Sequence, residues 1–259
     1  MQKPINYTEY LINKGEPKVK PSNCDMLNIR LSKPNILIFG GGNQATYTID
    51  IIQKQNKYKV VGIIDSVKEI GLEVFGYKVL GRIEDLENIC KQHNVYGGII
   101  SIGDNYSRHF VSKQILVKIP DFIFINAIHP SVIVSGNVNI GVGVVAMAGV
   151  IFNTNAVIHS HTFFATGCQI EHDCEIKSFA SVSAGTVLGG HVVLGAFSAL
   201  TLNVTVLDRL NIGGNTVVGA GSLVLKDLPN DVLAYGNPCK IIRSRQFGEK
   251  FLNSNYVNK

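Results

Sequence analysis

The 259-residue chain has no segment approaching the ~18 unbroken apolar residues of a membrane span, so no membrane insertion is expected. Its first residues, Met1-Gln2-Lys3-Pro4-Ile5-Asn6, contain no apolar h-region, which argues against a secretory signal and for a cytoplasmic location. Charge is sparse at 17%, and the 24 lysines and arginines are scattered. A net charge of +5 without clustering marks no nucleic-acid surface, although it suits small anions such as nucleotides or coenzymes. Cysteine is scarce and odd in number, five in all, which points to reduced thiols rather than a disulfide framework.

What remains is a globular composition, 46% hydrophobic, divided into three regions. Residues 1–33 form a polar arm carrying Pro4, Pro17 and Pro21, with a short helix expected over Tyr7–Ile12 and no function assigned. Residues 34–127 alternate strand and helix signals. Strands are expected at Asn35–Phe39, Lys59–Ile64, Gly98–Ile102 and Phe122–Ile125, and helices from Gly40-Gly41-Gly42 to about Asn56, over Glu84–His93 and over Asn105–Ile119. This is the order of a small Rossmann-like parallel sheet covered by helices. The turn Gly40-Gly41-Gly42-Asn43-Gln44-Ala45 fits G-x-G-x-x-A, and Asp65 ends the second strand. Two readings stay open: glycines that serve backbone geometry alone, or a mononucleotide-sized ligand on the turn.

The third region changes period. Cut into hexads from Val134, the chain places an apolar residue first in all sixteen units through Val224. At this composition chance gives such a run on the order of 10⁻⁵ of the time. The fifth position is also restricted, running Val138, Val144, Val150, Ala156, Thr162, Cys168, Cys174, Ala180, Thr186 and on to Leu228. One aliphatic and one small residue per hexad is the pattern of a parallel β-helix, three hexads to a coil, about five coils here. Cys168 and Cys174 therefore read as core residues. His159, His161, His172 and His191 occupy neither inward position and are expected to point outward, with His172 and His191 one coil apart on one face. Some hexapeptide-repeat enzymes bind zinc through histidines, but the ligand set here is thin and no metal is assigned. Spacing alone leaves His172, flanked by Glu171 and Asp173, as either a general base or a solvated side chain.

The glycine-rich first domain, the hexads, "IEHDCEI" (Ile170–Ile176) and "GNPCKIIR" (Gly236–Arg243) together resemble the bacterial sugar acyltransferases of the sialic-acid O-acetyltransferase, NeuD/PglD-like type. The resemblance covers about residues 34–245. It implies a Rossmann-like nucleotide-sugar domain (34–127), a left-handed β-helix (128–235) and a coenzyme-contacting tail (236–259), assembled as a homotrimer with acetyl-CoA along the prism edge. It implies His172 as general base supported by Asp173, and Gly190, Gly236, Asn237, Pro238 and Lys240 on the coenzyme. Gly40, Gly42, Asn43, Gln44, Asp65 and Ser181 fall on the substrate side. Asn43-Gln44 replaces the family's glycine-histidine pair, Ala165 its asparagine and Ser181 its second histidine. The implied activity is N-acetylation of the C4 amine of a nucleotide-linked 4-amino-4,6-dideoxy sugar for a surface polysaccharide such as O-antigen. The alternatives are O-acetylation of a sugar such as sialic acid, a non-catalytic nucleotide-sugar-binding trimer and, more remotely, a metal-dependent hydratase.

Overall fold

Continuous apolar runs bounded by glycine build the first sheet of the computed structural model, which describes residues 33–251. The expected arm, apart from Lys33, and its Tyr7–Ile12 helix lie outside the described residues. Strands β1 (Asn35–Phe39), β2 (Lys59–Ile64), β3 (Glu73–Val74), β4 (Tyr77–Gly81) and β5 (Val95–Ile100) lie in the order β3-β4-β2-β1-β5. Helix α1 (Asn43–Gln55) buries Ala45, Ile49 and Ile52, a spacing that keeps one stripe on the sheet. Helices α2 (Leu86–Gln92) and α3 (Asn105–Lys118) cover the opposite face, where Leu86, Ile89 and Ile115 pack with Leu37 and Phe39.

Two features depart from the sequence expectation. The β3–β4 hairpin is added to the expected strands, and nothing periodic marks it in the sequence. The expected strand Phe122–Ile125 is a single bridge from Phe124 to Gly98, because by Ala127 the chain is already pairing with Val145 in the second part of the fold.

That second part is a prism. The sixteen two-residue strands from Ile133–Val134 to Leu223–Val224 each end on a first hexad residue. The first thirteen pair in parallel with the strand 18 residues on, as Ile170 does with Leu188. The three faces carry six, five and eight strands. The coil begins one hexad earlier than the run from Val134, at Ala127–Ile128. Its last rung is shorter, since Ala234 stacks on Val218 and Leu228 bridges Ile212. Inward apolar residues such as Phe152, Phe164, Ile170 and Leu188 are wholly buried, as are the small residues Ala156, Cys168, Cys174 and Ala180.

The corners follow a third rule. Every fourth hexad residue from Asn137 to Gly221, fifteen in series, has positive φ. None is β-branched, as the sterics of that region require. The three corners differ in chemistry. One runs Asn137, Asn155, Asp173, His191, Arg209; the next Gly143, His161, Phe179, Phe197, Asn215; the third Gly149, Gly167, Gly185, Asn203, Gly221.

The first domain docks on the aromatic corner. His161, Phe179 and Phe197 stack at 5.0 and 5.3 Å, and α3 lies against them. Arg108 of α3, 2% exposed, threads this contact. Its Nε donates to the His161 carbonyl at 2.9 Å, and its two terminal nitrogens donate to the carbonyls of Ile102, Gly103, Phe179 and Ala180 and to the side chains of Asn105 and Ser181. Burial lowers its pKa to about 10, which still leaves it charged near neutrality. His161 leaves the prism outward, as expected, yet it is not solvated: it is only 4% exposed, covered by Phe124 and Phe179, and burial first and Arg108 second push its pKa down to about 3.

A second clasp organises the glycine turn. Asp65 Oδ2 accepts from Gly41 N–H at 2.6 Å, while Oδ1 accepts from Val67 and Lys68 N–H at 2.8 and 2.9 Å. Burial raises this carboxyl's pKa, but the three amides and the Lys68 charge outweigh it and hold the group below the usual aspartate range.

Replacing Arg108 by alanine strands several buried carbonyls and opens a cavity, so Arg108→Ala should cost about 3–5 kcal/mol, read as a fall in the denaturant midpoint. For Asp65 the sign follows from its depressed folded-state pKa. Its contribution is present above the unfolded aspartate value of ~3.9 and is lost as pH falls through the lower folded value. Asp65→Asn should therefore be less stable than wild type near neutrality, with the gap closing in acid, as thermal unfolding across that range would read.

Candidate active site

The carboxyl ends of β1, β2 and β5 open into a cavity of about 880 Å³. It sits where open α/β sheets receive ligands. Of the expected substrate-side residues, Gly40, Gly42, Asn43, Gln44 and Asp65 all line it. Gly40 has φ +98°, and a Cβ there would meet Ser101 O at 2.9 Å, so backbone geometry alone requires that glycine. At Gly42 a Cβ would touch nothing within 4 Å, which leaves the N-terminus of α1 open to the cavity. No acidic residue stands in the first turn of α1, so its backbone amides favour an anion. Gln44 is 7% exposed and its Oε1 has no hydrogen-bond partner among the described residues, an orphan that a ligand donor would satisfy.

Sequence reading missed the far wall, which comprises Lys68 and Arg82 from the unassigned stretch, Glu84 at the start of the expected Glu84–His93 helix, and Tyr106, Phe110 and Gln114 from α3. No spacing rule links these residues; only docking of α3 brings them in. Arg82 is itself fixed by the carbonyls of Asp65 and Lys68. Ser181 does not belong to this wall. It is 2% exposed, and its hydroxyl donates to Asn105 Oδ1 at 2.5 Å beside Arg108, so its expected place on the substrate is corrected to the domain contact.

On the polar corner of the prism, His172 Nδ1 meets Asp173 Oδ2 at 2.7 Å. The carboxylate accepts this N–H, which leaves the lone pair on Nε2. Asn155, one rung below, donates to the other Asp173 oxygen at 3.0 Å. Hydrogen bonds from His172 and then Asn155 hold the exposed Asp173 carboxyl below its usual pKa. Gly190 lies over the imidazole, where an added Cβ would stand 2.7 Å from His172 Nε2. The Gly190 amide donates to no other group among the described residues. His191, one rung above Asp173, meets the His172 ring edge-on at 5.2 Å. His172, Asp173 and His191 are also a set that could hold a metal ion, each offering one atom within 4.8 Å of the others.

The end motif continues the same face. Leu223 N–H donates to Gly236 O, and Cys239 N–H donates to Leu223 O, so the Gly236–Lys240 turn lies one rung beyond Leu223–Val224 and four rungs above the strand that leads to His172. At ~4.8 Å per rung that is ~19 Å. Neither core cysteine can act as a nucleophile, since burial pushes the thiol of Cys168 to about 12 and that of Cys174 to about 11.

The PglD N-terminal domain family matches residues 35–115. A histidine-to-alanine variant of GDP-perosamine N-acetyltransferase from Caulobacter crescentus, solved with CoA and GDP-perosamine, is 31% identical over 82% of this chain and 99% of that one, with a TM-score of 0.77. The acetyltransferase domain of PglB from Neisseria gonorrhoeae shares the fold at 23% identity and a TM-score of 0.74, over 81% of this chain and 100% of that domain. Galactoside O-acetyltransferase from Lactococcus lactis is 32% identical over 41% of this chain and 53% of its own length. The chain spans from about a fifth to a half of the length of such curated relatives. Near-complete coverage of the Caulobacter enzyme joins both parts of the fold in one relationship, and the prism is accordingly a left-handed β-helix. The chain belongs to the NeuD/PglD-like sugar acyltransferases, the acetyl-CoA-dependent enzymes of this two-part fold.

Proposed function

We propose that the chain N-acetylates the C4 amine of a nucleotide-linked 4-amino-4,6-dideoxy sugar, with acetyl-CoA as donor, as a cytoplasmic homotrimer serving surface-glycan synthesis. The observation that carries this reading is the His172–Asp173 pair at 2.7 Å beneath the free amide of Gly190, on a prism joined to a nucleotide-sized cavity. The likeness to an enzyme solved with CoA and GDP-perosamine supports it.

In the proposed reaction the sugar amine attacks the thioester carbonyl carbon, and the carbonyl π pair moves onto oxygen. Nε2 of His172 takes a proton from the amine nitrogen, while Asp173 holds the ring and stabilises the imidazolium. The Gly190 N–H offers a donor to the oxyanion. Collapse breaks the C–S bond, and the imidazolium returns its proton to the departing thiolate. Amide and free coenzyme thiol result, with no acyl-enzyme. The coenzyme's extended arm would run from Gly190 to the turn of Gly236, Asn237, Pro238 and Lys240, where the exposed Lys240 suits a phosphate. The nucleotide diphosphate suits the N-terminus of α1.

No prism residue lines the cavity, so one chain holds two half-sites. A neighbouring chain in the proposed trimer would bring cavity and base together. The glycine corner supports this, because a Cβ at Gly167 or Gly221 would touch nothing within its own chain.

Coenzyme thiol release should occur with one sugar from a panel of UDP-, dTDP- and GDP-linked amino sugars. His172→Ala should lower that turnover by ~10²–10⁴-fold. Undiminished turnover in the variant would remove His172 as base. Gly190→Ala, whose Cβ crowds the imidazole away from its 2.7 Å partner, should cut kcat by ~10²-fold while leaving the melting temperature close to wild type.

A further inference from the structure

We propose that His172, Asp173 and His191 form a binding site for a divalent transition-metal ion of the zinc type, and that an ion bound there silences the base. The binding half of this inference stands on the cluster's geometry alone; the silencing half rests on the acetyltransferase reading.

The fold brings the three side chains together. Asp173 and His191 are successive residues of the polar corner, both at φ +59°, so their side chains leave adjacent rungs in the same direction. The His191 amide donates to His172 O at 3.0 Å, which ties the second rung directly to the first. His191 Nε2 stands 3.8 Å from Asp173 Oδ2. That is too long for a hydrogen bond. It is close to the ~3.3 Å that separates two ligands of a tetrahedral ion with bonds of ~2.0–2.1 Å. The same oxygen lies 2.7 Å from His172 Nδ1, so one ligand pair must open by ~0.6 Å and the other close by ~0.5 Å, with all three atoms already within 4.8 Å of one another.

Donor chemistry selects the ion. Two imidazoles and one carboxylate suit zinc, cobalt, nickel or copper and disfavour magnesium and calcium, which seek oxygen sets. All three side chains are a third or more exposed, so an ion has a path from solvent. Asn155 already fixes the far carboxylate oxygen, the outer support that ligating carboxylates require. The ion displaces the Nδ1 proton of His172 into solvent and takes up the nitrogen lone pair it leaves, while Asp173 turns from supporting the imidazolium to ligating the ion. Proton transfer by His172 then stops. The half-buried pair of His159 with Glu175 at 2.8 Å has no third ligand among the described residues and serves as the internal control.

Equilibrium dialysis of the full chain against zinc chloride tests the binding. Wild type should take up one zinc per chain, and His191→Asn should bind at least ~10-fold more weakly. Asparagine already occupies this corner at 137 and 155, so the backbone accepts the change. His159→Asn should bind as wild type does. With cobalt chloride, wild type but not His191→Asn should show the intense visible bands of a tetrahedral site. No stoichiometric uptake, or equal uptake by wild type and His191→Asn, overturns the site. Thiol release, taken relative to each protein's own metal-free rate, should fall with zinc in wild type, recover with EDTA and resist zinc in His191→Asn. Zinc binding without that fall overturns the silencing alone. A protein without turnover on any sugar fails the acetyltransferase reading, and dialysis still decides the site.

Discussion

A left-handed residue every six positions is the constraint on which the prism depends. Each coil must turn three corners, and each corner places one residue at positive φ, where a residue other than glycine carries a conformational cost of roughly 1–3 kcal/mol. Ten of the fifteen corner residues are not glycine, yet asparagine, aspartate and histidine are prominent among them, the types that tolerate this region best. The remainder is offset by stacking, since inward apolar residues are fully buried on rung after rung and each strand between the end rungs pairs on both sides. A valine or isoleucine at any corner would add the strain without the offset.

With the backbone fixed by that rule, corner side chains are free to diverge, and here they divide the labour. The polar corner carries the acid that orients His172. The aromatic corner carries a stack that only a covering layer can shield from water, and α3 supplies it. Arg108 then becomes possible. Its guanidinium spans carbonyls from both parts of the fold, so a charge that would be costly to bury alone serves as the joint between them. The third corner stays nearly smooth, although neighbouring corners show that the backbone does not demand glycine there.

Most of the architecture is legible in the sequence because it rests on period. First and fifth hexad positions disclose the prism, the coil length and the burial of Cys168 and Cys174; the strand–glycine–helix order discloses the sheet. The proximity of His172 and His191 follows from counting eighteen residues per coil. Three things stay hidden. His161 shares its hexad logic with exposed residues, and only the docked domain buries it. Ser181 matches a family histidine by position, while its surroundings are set by Asn105 and Arg108, far away in sequence. The cavity's outer wall comes from the stretches flanking a short hairpin and from one face of α3, none of them marked by any repeat. The corners, by contrast, do leave a mark. β-Branched residues are missing from every fourth hexad position, and that spacing by itself makes Asp173 and His191 corner neighbours.

Separation of the cavity from the base follows from the same geometry. α3 binds the aromatic corner, and its first turn walls the cavity, so the cavity is anchored to that corner. His172 stands on the polar corner, and each corner runs parallel to the prism axis, so no change of coil number can bring the two together within a chain. Only a second prism packed alongside can do so, and it must approach closely along a corner with little side-chain bulk. Gly149, Gly167, Gly185 and Gly221 leave such a corner. The proposed trimer thus gives the glycine corner a use that its own chain does not, and it explains how a rigid, repetitive coil can house a reaction between two large substrates. In the proposed reaction each would be held along its own edge, with the chemistry confined to the rung where His172 meets Gly190.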